Sequence, residues 1–113
     1  MPVVKVKAVG QRGSWFAEVE GIQLPCVHDH WVNLVKGEMR YRDPNYRPDS
    51  PKWMEFVGGL TMHHRVVLTR DKVINEGEGF EREGYIAVFD IADIRENSHA
   101  LEFRFTKRVA ELT

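Results

Sequence analysis

The stretch YIAVFDIADI, residues 85–94, is apolar throughout except at Asp90 and Asp93. Its near-continuous hydrophobicity suits a central strand buried on both faces. The run that follows, LEFRFTKRV at 101–109, is patterned differently. Leu101, Phe103 and Phe105 alternate with Glu102, Arg104 and Thr106, the period of a half-buried strand. Upstream, HRVVLTRDKVI (64–74) is rich in β-branched residues and reads as a further strand.

Between these runs, NEGEGFEREG (75–84) reads as a solvated hairpin loop. Glu76, Glu78, Glu81 and Glu83 outweigh Arg82 there, so a phosphate would be repelled. The loop also lacks the lysine of a P-loop, the GxGxxG of a dinucleotide turn and the ligand spacing of an EF-hand.

The amino-terminal third repeats the strand period. Val4, Val6 and Ala8 alternate with Lys5 and Lys7, and Trp15, Ala17 and Val19 share one face of SWFAEVE (14–20). Two such runs around the glycine-bearing GQRG predict a hairpin. Gly21 then separates a short strand, IQLPCV, in which Pro25 favours an edge or a bulge. In the middle of the chain, Asp29 is placed as the N-cap of a helix carrying Trp31, Leu34 and Val35, with Gly37 beyond its end. EMRYRDPNYRPDSP (38–51) reads as an extended loop. A second helix begins with Ser50 as N-cap and Pro51 at its first position. Trp53, Phe56, Val57 and Leu60 follow at helical spacing, and Gly58-Gly59 limits it to about two turns.

The expected architecture is a single α+β domain over residues 1–113, mainly β. It is a roughly six-stranded antiparallel, barrel-like sheet with one or two short helices inserted mid-chain. Strands are expected near 3–9, 14–20, 22–27, 65–73, 85–92 and 101–109. Trp15, Val19, Leu24, Val67, Ile86, Val88, Phe103 and Phe105 should form the core.

Sixteen basic and 17 acidic residues leave a net charge of -1, so no global field recruits nucleic acid or anionic lipid. One cysteine excludes an internal disulfide. No run approaches the ~18 apolar residues of a membrane span, and the amino terminus lacks a signal-peptide core, so a soluble cytoplasmic protein is expected.

PCVHDHW (25–31) is the first candidate for chemistry. On one continuous strand, Cys26, His28 and His30 would share a face and could hold zinc. A helix starting at Asp29 separates the two histidines. The spacing matches no closed zinc pattern, there is no HExxH, and His63 and His64 face opposite ways if they lie on a strand. No metal and no cofactor are therefore expected. His28 and His30 remain candidate ligand-binding residues beside Cys26, which reads as a small buried hydrophobe.

The second candidate is RYRDPNYRPDSPKW (40–53), where Arg40, Arg42, Arg47 and Lys52 interleave with Tyr41, Tyr46 and Trp53. Cations between flat rings suit single-stranded nucleic acid, a nucleotide or a protein interface. The sequence thus favours a non-catalytic binding module that uses the 38–53 loop, with a protein partner or a second copy of itself as a homodimer. The rival readings are a small metal-dependent enzyme or metalloprotein centred on His28 and His30, and nucleic-acid or nucleotide binding.

Overall fold

The two runs that end the chain become the longest strands of the fold. The computed structural model describes residues 2–9, 15–73, 80–97 and 99–113, with only the backbone at 73, 80 and 81. The amino-terminal strands are β1 (Val3–Val4), β2 (Val6–Ala8), β3 (Phe16–Val19) and β4 (Ile22–His28). A 3-10 turn at Asp29–Trp31 leads into β5 (Val32–Val35) and β6 (Glu38–Asp43). Helix α1 (Pro51–His63) precedes β7 (Arg65–Val73), β8 (Phe80–Glu96) and β9 (Leu101–Leu112). The radius of gyration, 13.4 Å, is that of a folded chain of this length. Among the described residues, no helix is long and apolar enough to cross a membrane.

The fold is mainly β, as expected, but the sheet departs from the expected form. Among the described residues it has nine strands rather than six, in the order β2-β3-β4-β7-β8-β9-β6-β5 with β1 on β9, and it is open rather than barrel-like. It is also mixed: β4 pairs with β7 in parallel, as does β1 with β9, and the remaining pairs are antiparallel. Parallel neighbours need a crossover rather than a hairpin. Here the crossover from β4 to β7 comprises β5, β6 and α1.

The mid-chain expectations need three corrections. Asp29 starts a single 3-10 turn, after which Val32–Val35 form a strand where a helix was expected. Lys36 and Gly37, at φ 51° and 81°, make the two-residue turn of a hairpin and deliver β6 beside β5. Residues 38–43, read as loop, are therefore strand. The third correction concerns α1, which continues through Gly58-Gly59 to His63. Gly59 lies where helix and sheet approach closely: a Cβ there would come within 2.9 Å of the Pro25 ring and 3.1 Å of Phe16. In the terminal third, residues 80–84 belong to β8 rather than to the expected loop, and residues 75–79 of that loop lie outside the described residues. Ser14 and Gln11–Gly13 of the expected first hairpin also lie outside them.

Consecutive residues of the long strands serve two apolar clusters. Val66 and Leu68 of β7, with Ala87, Phe89 and Ile91 of β8, join the larger one, which contains Trp53, Phe56, Val57 and Leu60 of α1. Val67 and Val88 join the smaller, with Val19, Leu24 and Cys26. The expected core residues thus pack as foreseen, Trp15 and Ile86 being only partly buried. Register shifts along β7–β8 and β8–β9 are the bulges by which so long a strand bends and twists.

The contrast between the paired glycines is testable. A Cβ at Gly58 would meet no described atom outside its own turn of helix within 4 Å, so Gly58→Ala should stabilise the protein by about 0.5–1 kcal/mol through helix propensity. Gly59→Ala should instead destabilise it by roughly 1–3 kcal/mol, as overpacking does. Thermal melts should therefore move in opposite directions, and an equal rise in both would refute the close approach.

Candidate functional site

All three tryptophans of the chain line one cavity of about 240 Å³. Trp15 precedes β3, Trp31 ends the 3-10 turn, and Trp53 lies in the first turns of α1. Trp15 is tied to β4, its carbonyl accepting the Cys26 N–H at 2.8 Å. Phe56, Tyr41, Cys26, His28, Asp43, Asn45 and Arg82 complete the wall. Trp15, Trp53 and Phe56 stand nearly perpendicular to one another. Their centroids are 4.8, 5.5 and 5.6 Å apart at 79°, 81° and 79°, so the three rings meet like the corner of a box. Edge-to-face contacts of this kind suit the aromatic quadrupole.

One side of the pocket rests on a buried carboxylate. The Asp71 side chain, only 2% exposed, accepts a hydrogen bond from His28 Nδ1 and another from Arg82 Nε at 3.4 Å. An ionised carboxylate can only accept, so Nδ1 carries the imidazole proton. Burial works to raise the Asp71 pKa. The His28 hydrogen bond and charge, with Arg82, outweigh it and hold the carboxyl below its ordinary value. Asp71 also donates its backbone N–H to Asp29 Oδ1 at 3.2 Å. Asp29 thereby pins the 3-10 turn to β7 instead of capping a helix.

A second buried carboxylate, Asp43, sits at the end of β6. It accepts the Tyr41 hydroxyl and the Asn45 N–H, each at 2.9 Å. Among the described residues, no ion pair includes it. Nearby, the buried Trp31 Nε1 has no hydrogen-bond partner among the described residues. Cys26 contributes an inert thiol: burial pushes its pKa up to about 12, although Arg82 acts to lower it.

Of the residues singled out in the sequence, His28, Tyr41 and Trp53 come together here. His30 is exposed on the 3-10 turn, its ring edge-on to Trp31 at 4.8 Å, and it does not line the cavity. Tyr46 supports the wall from outside it, packing on Trp53 at 5.4 Å while its hydroxyl donates to Glu96 at 2.5 Å. The arginines lie elsewhere. Arg40 pairs with Glu38 at 2.8 Å, Arg42 with Glu102 at 3.5 Å, and Arg47 donates to the carbonyls of Asn45 and Tyr46. The alternation of β6 explains the split, because Tyr41 and Asp43 face inward and Arg42 outward. Among the described residues, no three His, Cys, Asp or Glu side chains gather closely enough to hold a metal ion.

Sequence reading missed Asp71, Arg82, Asp43 and the joint role of the tryptophans. Asp71 and Arg82 are cross-strand partners on β7 and β8, next to a register shift at Arg70/Asp71. Periodicity cannot locate a bulge. Three tryptophans in so short a chain were a usable signal, since this residue is costly to leave exposed and favours binding sites. Against protein-family models, curated proteins and solved structures, the chain matches none.

Two measurements check the electrostatics. Asp71→Asn should destabilise the protein by about 3 kcal/mol at pH 7, since it breaks a buried pair. The folded state holds Asp71 ionised below its ordinary pKa of 3.8, so in acid the unfolded chain binds more protons. The gap between wild type and variant in urea melts should therefore be constant above about pH 5 and shrink as pH falls through that value and below. A gap independent of pH would contradict the assignment. For Cys26, iodoacetamide at pH 8 should label the native protein at least about 100-fold more slowly than the urea-unfolded chain.

Proposed function

We propose that this chain is a non-catalytic binding module that takes a small, flat ligand into the tryptophan-lined pocket. The carrying observation is that the chain's three tryptophans, drawn from three separate segments, line a single cavity together with the Asp43 carboxylate, the Arg82 guanidinium and the His28 imidazole. Apolar walls with a few placed polar groups are the usual make-up of a ligand site. At about 240 Å³ the space suits one or two rings. The reading keeps Tyr41, Trp53 and His28 as binding residues. It moves the site from the outer surface of residues 38–53 to the space enclosed by β4, β6 and α1.

A second reading is favoured by the bond between His28 and Asp71. A base held by an orienting carboxylate is the arrangement of a proton-transfer enzyme. Cys26 as a protonated thiol supplies no nucleophile to it.

Fragments of one or two rings should bind with saturation and displace the three indole N–H signals in two-dimensional NMR spectra together. Fragments that move none of the three, or only signals from the far side of the sheet, would overturn the proposal. A bound fragment recovered chemically unchanged after long incubation supports the binding module, and a transformed one supports the enzyme.

A further inference from the structure

The charged groups of the pocket are not equally answered. Arg82 is answered internally by Asp71, 3.4 Å away and on the facing strand. His28 is hydrogen-bonded to the same carboxylate. Among the described residues Asp43 has no such answer: it is buried, it lines the cavity, and its two partners there are a neutral hydroxyl and a neutral amide. A buried carboxylate without a counter-charge is costly and attracts a cation brought from outside.

The walls favour the same sign. Trp15, Trp31, Trp53, Tyr41 and Phe56 surround the space, and aromatic faces carry the negative part of the ring quadrupole. A strongly hydrated cation such as a primary ammonium would lose its water shell here. An alkylated ammonium spreads its charge over methyl groups, sheds little hydration and presents an apolar surface to the rings. Trp15, Trp53 and Phe56 hold one another at steep angles, so differently oriented rings border the same space.

We propose that the pocket receives an alkylated ammonium group, caged by Trp15, Trp53 and Phe56 with Asp43 as its counter-charge. This rests on the pocket being a ligand site, as proposed above, and it narrows the ligand from flat compounds in general to organic cations. The group could arrive as a free choline-like molecule or as a methylated lysine side chain, and the recognition chemistry is shared.

The full-length chain should be titrated with choline, with the uncharged tert-butyl analogue of choline, and with a trimethyllysine peptide beside its unmodified form. Tryptophan emission and calorimetry give the affinities. Choline or the methylated peptide should bind at least about tenfold more tightly than its uncharged or unmodified counterpart. Choline binding without peptide binding assigns a free small molecule, and the reverse assigns a modified chain. Asp43→Asn should weaken the cation about tenfold and leave the tert-butyl analogue unaffected. If that variant does not fold, the wild-type comparison of choline with its analogue decides alone. An analogue that binds as tightly as choline overturns the cation inference. So does failure of both cations where ring fragments still shift the indole signals, and in either case the pocket stands as a ligand site. Failure of every compound, fragments included, overturns both.

Discussion

The parallel pairing of β4 with β7 is the constraint from which the site follows. Cys26, Val27 and His28 lie beside Val67, Leu68 and Thr69, which brings the end of β4 alongside Asp71, two residues further along β7. A parallel neighbour forbids a tight turn between the two strands. The intervening chain must travel out and return, and it carries Trp31, Tyr41, Asp43 and Trp53 on the way. Had β4 paired antiparallel through a short hairpin, none of these residues would have reached His28.

Within that frame the polar groups are arranged by the cost of burying charge. Asp71 is almost wholly inside, and its two oxygens are divided between His28 and Arg82. Its backbone anchors Asp29, so one residue organises the imidazole, the guanidinium and the 3-10 turn together. Removing any one of these donors leaves a buried charge less compensated, which is why such networks hold a single geometry. Among the described residues Asp43 is the exception, satisfied in hydrogen bonds and unanswered in charge. The surface arginines behave oppositely. Arg40 and Arg42 meet Glu38 and Glu102 in pairs that contribute little to stability and that blunt the basic character of the segment.

Much of the secondary structure was legible in the chain. Leu101, Phe103 and Phe105 announced their buried face by alternation, and 65–73 and 101–109 fall within observed strands. The start of α1 was legible too, from Ser50-Pro51 and the spacing of Trp53, Phe56 and Leu60. Errors arose where one pattern fits two structures. Trp31, Leu34 and Val35 have helical spacing, yet Val32–Val35 is a sheet-edge strand with Leu34 exposed, because Lys36-Gly37 forms a hairpin turn that no periodicity reports. Gly58-Gly59 looked like a helix end, yet α1 runs through both and Gly59 is a place of close packing.

The site was legible in its members and not in its assembly. Alternation along Met39–Asp43 depends on local sterics, so a reader can infer that Tyr41 and Asp43 share one face. Which strand lies next to which, and in what register, depends on contacts between residues far apart in the chain, where a shift of one position inverts every face. The meeting of Asp71 with His28 and Arg82, and of the three tryptophans around one space, belongs to that second kind of information. The apolar periods specify a mainly β chain with a buried interior. The crossover, the bulge at Arg70/Asp71 and the packing of α1 on Pro25 turn that interior into a pocket, because only they bring distant side chains within reach of one another.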